Sequence, residues 1–430
     1  MNLKPLSTIF NRPLGKLAVG SVGGYTIVLL LSPVMTRLYT PEEFGQFAIF
    51  SSIVAVASVF MSLSLELGIL SAKRRSEASR YAFLAVATVV VMTLAMCMVL
   101  LLLDGLGVTL GLPRWVQALA VLSCLIASLT SIAINWSIYS RNSNLAARAI
   151  FSSLSGRSVM QVGLGYLYGG LWGLAIGEIA GRFLALSVAI NQRIKYSLKL
   201  LTTRKKLTSA DSAAIRPYAF YITPSAAIDT ALVWLPAPLF SIFFGPLAGG
   251  LVAMTQRFGS VPLTILNQSL GQLFHRRTAE KLGSDNAYLL RFVLLYFGGF
   301  LFLTIIAVFL LIWQGEAIFR LLLGEAWSNT YIAAIALAPL YFFQFVSLLT
   351  NRVILVAGRA NIKLLTSFAQ LCALFFSVFY AKSMNFPWET ALFGAAVCLA
   401  LTQGLTILYA FNLLHQKNDG GRPAPSAVEN

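Results

Sequence analysis

Acidic residues, histidine and cysteine are all scarce in this sequence of 430 residues. There are 15 Asp and Glu against 32 Lys and Arg, with two His and four Cys. His275 and His415 lie at the ends of apolar runs, so a metal cluster or a His-based catalytic triad has almost no side chains to draw on. The cysteines show no CxxC spacing, and we expect them to be small buried apolar side chains rather than a disulfide or metal set.

Two further absences argue against an enzyme. The sequence contains no GxxxxGKS/T loop, which excludes an ATP motor of the P-loop type. The segments that join the apolar runs on the non-cytoplasmic side are short, so there is no room for a catalytic domain on that face. We therefore expect no catalytic residues and no cofactor, with a proton or sodium gradient, or the substrate gradient itself, as the source of energy.

Apolar residues dominate what is present. The chain is 58% hydrophobic and 11% charged, which is too apolar for a soluble protein of this length. The sequence predicts an all-α polytopic membrane protein of twelve helices, since each apolar run is long enough to cross a bilayer. The predicted spans are 17–36, 44–70, 81–103, 115–139, 150–168, 171–191, 218–243, 247–274, 289–313, 331–357, 364–381 and 390–414.

The basic residues between the runs fall almost entirely on one side. If the amino terminus is cytoplasmic, 24 of the 32 Lys and Arg lie in cytoplasmic segments, and only Arg37, Arg114, Arg320 and Lys382 lie on the other side. This asymmetry predicts a cytoplasmic location for both termini. The formal net charge of +17 is then explained by topology and by contact with membrane lipids, so we expect no nucleic-acid partner.

The sequence also predicts two related halves. We expect an N-terminal lobe over 1–192, a basic cytoplasmic linker over 193–216, a C-terminal lobe over 217–414 and a disordered tail over 415–430. Four positions of the first half recur 205 residues later, namely Pro33, Pro41, Gly45 and Ala48 as Pro238, Pro246, Gly250 and Ala253. Two parallel six-helix repeats of this kind predict a central cavity and transport by alternating access.

Apart from Arg291 at the cytoplasmic end of span nine, four arginines lie inside the predicted spans, where a charge usually marks a binding cavity or pathway. They are Arg157, Arg182, Arg257 and Arg352. Arg257 follows Gln256 deep in span eight, Arg157 precedes Gln161 by one helical turn, and Arg352 is closer to the surface as an interfacial anchor. Guanidinium groups match phosphate oxygens in pairs, so Arg257, Arg157 and Arg182 with these amides predict a cavity for a phosphorylated, hydroxylated headgroup.

Three acids share the apolar interior. Glu178 stands one turn before Arg182 and can pair with it on the same helix face. Glu66 is near the cytoplasmic end of span two and can reach the interface. Asp229 lies between Pro224 and Pro236 on a helix expected to kink, where a carboxylate suits proton or cation coupling or pairs with a buried Arg.

Span six carries a ridge of glycines beside Glu178. Gly169, Gly173, Gly177 and Gly181 recur every fourth residue. This spacing favours close helix packing as its first explanation, because small residues allow two backbones to approach.

Several longer segments resemble a known family. They are LYTPEEFGQFAIF (38–50), LSLELGILSAKRRSEA (63–78), FFGPLAGGLVAMTQRFGSVPLTILNQSLGQLFHRRTAE (243–280) and LLGEAW (322–327). Together they resemble bacterial polysaccharide-export, O-antigen-type flippases, the oligosaccharide-lipid branch of the multidrug/oligosaccharidyl-lipid/polysaccharide (MOP) superfamily.

The resemblance implies an inner-membrane protein that moves undecaprenyl-diphosphate-linked oligosaccharides from the cytoplasmic to the periplasmic leaflet. It implies a role in the synthesis of surface polysaccharide, with a polymerase and a chain-length regulator as partners. It also implies a cationic cavity, with Arg257 where such proteins often carry an arginine. Two alternatives remain open, a cation-coupled drug or metabolite antiporter of the same fold and a membrane glycan polymerase or ligase. The four intramembrane Arg against three acids favour an anionic substrate.

Overall fold

The computed structural model describes residues 13–72, 74–105, 113–190, 215–216, 218–266 and 271–415. Within these ranges the chain is helical and contains no strand, which confirms the all-α prediction. Most of the predicted linker and tail, residues 193–214 and 416–430, lies outside the described residues.

The chain divides into two compact units, Met1–Ser241 and Ile242–Asn430. The helices of the first unit are α1 Pro13–Leu38, α2 Pro41–Ser62, α3 Glu66–Ser71, α4 Arg75–Gly105, α5 Arg114–Tyr139, α6 Ser143–Leu167, α7 Gly170–Ala189, α8 Thr223–Trp234 and α9 Pro236–Phe244. A single π-helical turn, Tyr218–Ile222, precedes α8, and α9 runs past the unit boundary.

In the second unit a short 3₁₀ turn, Glu325–Trp327, separates two long helices. The helices are α10 Pro246–Leu266, α11 Gln272–Lys281, α12 Asn286–Leu323, α13 Thr330–Val356, α14 Ala360–Ser383 and α15 Trp388–His415. Each unit has its own apolar core, built around Phe50, Leu65 and Ile69 in the first and around Leu289 and Leu349 in the second.

Most predicted spans overlap a single described helix, and spans two, seven and eight each overlap two α-helices. Nine described helices are long and apolar enough to cross a membrane, or ten if the bent pair Tyr218–Trp234 and Pro236–Phe244 is one span. The helices α6 and α10 are not among them, although they have 25 and 21 residues. Both carry intramembrane Arg and Gln, which lower the mean hydropathy. The protein is a multi-pass membrane protein, and the count of twelve crossings stays a prediction.

The repeated residues mark the same local turn in each unit. Pro41 is the first residue of α2, and Pro246 is the first residue of α10. In the first unit Thr40 closes the turn with a capping box, in which its hydroxyl accepts from the Glu43 amide while its own amide donates to the Glu43 carboxylate. In the second unit the corresponding residue is Gly245, whose φ of 100° needs a glycine.

Predicted span two is not one continuous helix. The helix α2 ends at Ser62, and Leu63 and Ser64 take left-handed φ values of 47° and 51° before α3 begins at Glu66. Two successive non-glycine residues in this region are uncommon and strained. The break turns the polypeptide so that Leu65 and Ile69 enter the core of the first unit.

Predicted span seven is bent by 56° between Trp234 and Pro236, which confirms the expected kink. The first part of this span packs on the broken region of span two. Tyr218 lies 3.3 Å from the Ser71 hydroxyl, and the Thr223 hydroxyl donates to that of Ser64 at 3.4 Å. These contacts explain why α8 belongs to the first compact unit, and the division of the two halves within residues 193–216 stays a prediction.

Two further expectations need correction. Cys97 and Cys372 are exposed rather than buried, because an apolar run does not say which residues face lipid and which face protein. Predicted span nine ends at residue 313, but α12 continues to Leu323 and has 38 residues. The continuation follows from good helix formers such as Glu316 and Leu321, which keep the helix intact past residue 313.

Candidate functional site

The helices α6 and α7 pack against each other almost backbone to backbone. A methyl group on Gly177 would lie 2.7 Å from the Cα atom of Gln161, and one on Gly181 would overlap the backbone of Arg157. Gly173 in the same row faces the hydroxyl of Tyr39, whereas Gly169 has open space and a φ of 60° before α7 starts. The predicted packing role of the glycine ridge is confirmed for Gly173, Gly177 and Gly181.

This packing brings three charged side chains together between the two helices. The Nη1 atom of Arg157, on α6, lies 3.1 Å from Oε1 of Glu178. Two atoms of Arg182, on α7, approach the same oxygen, Nη2 at 2.7 Å and Nε at 2.8 Å. The Glu178 side chain is 5% exposed, and the two arginine side chains are 21% and 16% exposed. We call Arg157, Glu178 and Arg182 the α6–α7 ion cluster.

The ion cluster carries one excess positive charge, since two guanidinium groups share one carboxylate. A buried charge in an apolar segment is costly unless it is paired, so the excess charge favours an anion nearby. Guanidinium groups bind phosphate and carboxylate oxygens through parallel N–H donors. The chemistry of the cluster therefore suits recognition of an anionic group.

The predicted amide Gln161 is tied into the helix packing. Its side chain is buried, and its Nε2 donates to the Leu174 carbonyl at 3.2 Å. The main-chain carbonyl of Gln161 accepts a hydrogen bond of 2.6 Å from the Tyr39 hydroxyl. Gln161 thus joins α6 to α7 and, through Tyr39, to the end of α1, and its predicted contact with substrate stays a prediction.

The other predicted arginines lie in the second unit. Arg257 and Gln256 are half-buried on α10, and Arg352 is half-buried on α13. These two helices pack through Tyr341, whose ring faces Gly259 and whose hydroxyl donates to the Thr255 carbonyl at 3.3 Å. Arg257 and the α6–α7 ion cluster belong to different compact units, and the predicted contact of Arg257 with substrate stays a prediction.

The remaining acids, Asp229 and Glu66, are not members of the cluster either. Asp229 is half-buried on α8, about two turns before the bend at Pro236. Glu66 follows the left-handed break at the start of α3, and its Oε2 atom is buried without a hydrogen bond from a described residue. The residue as a whole is half-buried, and its expected reach towards the interface stays a prediction.

The sequence alone suggested Glu178 with Arg182 but missed the link from Glu178 to Arg157. The i,i+4 spacing of the first pair is visible in the sequence, whereas the second pair depends on the register of two helices. Tyr39, which holds Gln161, was missed as well and has no sequence signal. Within the described ranges, no group of three His, Cys, Asp or Glu side chains is placed to hold a metal ion.

Comparison with known structures identifies the fold. Lipid II flippase MurJ in an inward closed conformation superposes with a TM-score of 0.70 over 92% of this chain and 87% of that chain, at 13% identity. A Vibrio cholerae MATE transporter, VcmN, matches with a TM-score of 0.59 over 96% and 98%, at 14% identity. A MOP superfamily transporter from Pyrococcus furiosus matches with a TM-score of 0.60 over 96% and 98%, at 13% identity.

Comparison at the level of sequence is more specific. No curated protein sequence matches the chain. Residues 34–332 match a protein family described as "Polysaccharide biosynthesis protein", a range that includes the broken span two, the α6–α7 ion cluster and Arg257. Because this match covers most of the chain, the chain belongs to the polysaccharide biosynthesis protein family.

Proposed function

We propose that this protein is a flippase that carries undecaprenyl-diphosphate-linked oligosaccharide units from the cytoplasmic to the periplasmic leaflet of the bacterial inner membrane. It works by alternating access, with both termini in the cytoplasm, and it supplies the synthesis of O-antigen, capsule or exopolysaccharide. The observation that carries the proposal is the excess positive charge of the α6–α7 ion cluster, whose helix α7 is long and apolar enough to cross a membrane.

The family description and the substrate chemistry agree with this reading. The family is described as one of polysaccharide biosynthesis, and the proposed lipid-linked sugar carries a diphosphate that two arginines can recognise. A transporter for cationic drugs would place a net negative charge at such a site. The cluster has the opposite sign, so an anionic substrate is the better fit.

The remaining predicted residues take supporting roles in this proposal. Arg257 with Gln256 offers a second anion contact in the other unit, and Asp229 and Glu66 are the candidates for coupling to a proton or sodium gradient. A polysaccharide polymerase and a chain-length regulator are the proposed partners, since they use the delivered units.

Deletion of the gene tests the proposal. Surface polysaccharide should disappear, while undecaprenyl-linked units accumulate with their sugars facing the cytoplasm. The location can be read in spheroplasts and in inverted vesicles with a membrane-impermeant enzyme that modifies exposed sugars. Accumulation on the periplasmic side would instead indicate a polymerase or ligase, and unchanged polysaccharide would overturn the proposal.

A further inference from the structure

We infer that Arg157 is the guanidinium of the α6–α7 ion cluster that binds the substrate's diphosphate, and that Glu178 competes with the diphosphate for it. Arg182 then serves as the permanent counter-ion of Glu178. This inference rests on the proposed function and assigns different roles to the three charged residues of one site.

The two ion pairs of Glu178 are not equivalent. Arg182 stands four residues along the same helix and approaches Oε1 with two nitrogens, at 2.7 and 2.8 Å. Arg157 comes from the neighbouring helix and approaches the same oxygen with one nitrogen, at 3.1 Å. The contact that an incoming anion can displace at lower cost is the single, longer one, so the excess positive charge of the cluster resides on Arg157.

The donors of Arg157 are also oriented for a second acceptor. Its Nε donates to the Ser153 carbonyl at 2.6 Å, which fixes the plane of the guanidinium along α6. Its Nη2 makes no hydrogen bond to a described residue, and the side chain is more exposed than that of Glu178. A diphosphate offers several oxygens to this edge, whereas Glu178 offers one oxygen that it already shares with Arg182.

The glycine packing keeps Arg157 in this position. Gly181 lies directly against the backbone of Arg157, which places the start of the arginine side chain within reach of α7. The guanidinium is thus held at a fixed distance from Glu178 by the helix contact and not by the ion pair alone. Loss of the Glu178 charge should therefore leave Arg157 in place and available to an anion.

The test measures binding of undecaprenyl diphosphate and of uncharged undecaprenol to the full-length protein in nanodiscs. Glu178→Gln should bind undecaprenyl diphosphate more tightly than the wild type, because the competing charge is gone. Arg157→Gln and Arg182→Gln should each weaken binding by about tenfold, the first by loss of the binding group and the second because Glu178 then pairs fully with Arg157. Arg320→Gln, at an exposed ion pair, is the matched control and should change nothing.

Two double variants of equal net charge decide whether binding depends on the position of the arginine or on the net charge of the cluster. Arg182→Gln with Glu178→Gln leaves Arg157 alone and should restore binding of undecaprenyl diphosphate. Arg157→Gln with Glu178→Gln leaves Arg182 alone and should not. Size-exclusion chromatography and thermal unfolding check that each variant is folded, and Arg157→Lys replaces Arg157→Gln if the latter is not, with partial binding expected.

The outcomes separate this inference from the proposed function. If the wild type does not prefer undecaprenyl diphosphate over undecaprenol, the proposed function fails and the inference fails with it. If the wild type shows the preference but the two double variants bind equally, or Glu178→Gln does not tighten binding, only the assignment to Arg157 is overturned. Recovery in the Arg157-only variant alone supports it.

Discussion

Glu178 neutralises charge on two helices at once, so its removal leaves two partly buried guanidinium groups facing each other. Breaking a buried ion pair by removing one partner typically costs 3 to 5 kcal/mol. We predict that Glu178→Ala lowers the free energy of unfolding by about 3 kcal/mol, a figure typical of this kind of change. Chemical unfolding in detergent measures it.

An exposed pair supplies the control for this prediction. Glu316→Ala removes a partner of Arg320 on α12, where both side chains are about half exposed, and should change the free energy of unfolding by less than about 1 kcal/mol. Equal effects of the two substitutions would contradict a structural role of the buried carboxylate.

Asp285 gives a pH-dependent contribution outside the spans. It caps α12, where it accepts from the Tyr288 amide at 3.1 Å and from Lys281 Nζ at 2.7 Å. The hydrogen bond from Lys281, followed by that from the Tyr288 amide, lowers the pKa of its carboxyl. Because the pKa is lower in the folded protein, the stabilisation is present above the unfolded value and is lost as pH falls through the folded one.

The measurement is the melting temperature as a function of pH. In Asp285→Asn, the drop in melting temperature between pH 5 and pH 3 should be smaller than in the wild type. Identical pH profiles would show that the cap contributes no pH dependence. Asparagine is the suitable replacement because it retains the capping oxygen and loses only the charge.

At the scale of helices, the contact between α6 and α7 depends on glycine. We predict that Gly181→Ala destabilises the protein by about 1 to 3 kcal/mol, because the new methyl group overlaps the Arg157 backbone and must push the helices apart. Gly163→Ala on α6 is the matched control, since a methyl group there meets no atom within 4 Å. A difference in melting temperature between the two variants checks the prediction.

The sequence predicted the helices well because each apolar run had to satisfy its backbone inside a membrane. The pairing of Glu178 with Arg182 and the bend near Pro236 were also visible, since both depend on local spacing. The break at Leu63 and Ser64 was not, because neither residue type favours a left-handed backbone. The contact of Arg157 with Glu178 was not predicted either, since the register of neighbouring helices is set by how their surfaces fit.

For the whole molecule, the distribution of basic residues gives a testable topology. Reporter fusions at sites on the basic side should read cytoplasmic, and fusions in the opposite loops should read periplasmic. The cytoplasmic sites follow Arg75, Lys205 and Lys281, and the periplasmic sites follow Pro41, Gly107, Gly245 and Asn385. One robust reversal would overturn the twelve-span arrangement.

The length of α12 has a consequence for the choice of lipid. Its 38 residues extend for about 57 Å at 1.5 Å per residue, nearly twice the hydrocarbon thickness of a bilayer. Exposed apolar side chains continue along it from Leu294 to Leu322. Such hydrophobic mismatch is relieved by helix tilt or by local thickening of the bilayer. A change in the acyl-chain length of the surrounding lipid therefore changes the mismatch at α12 and acts on the second unit through this helix.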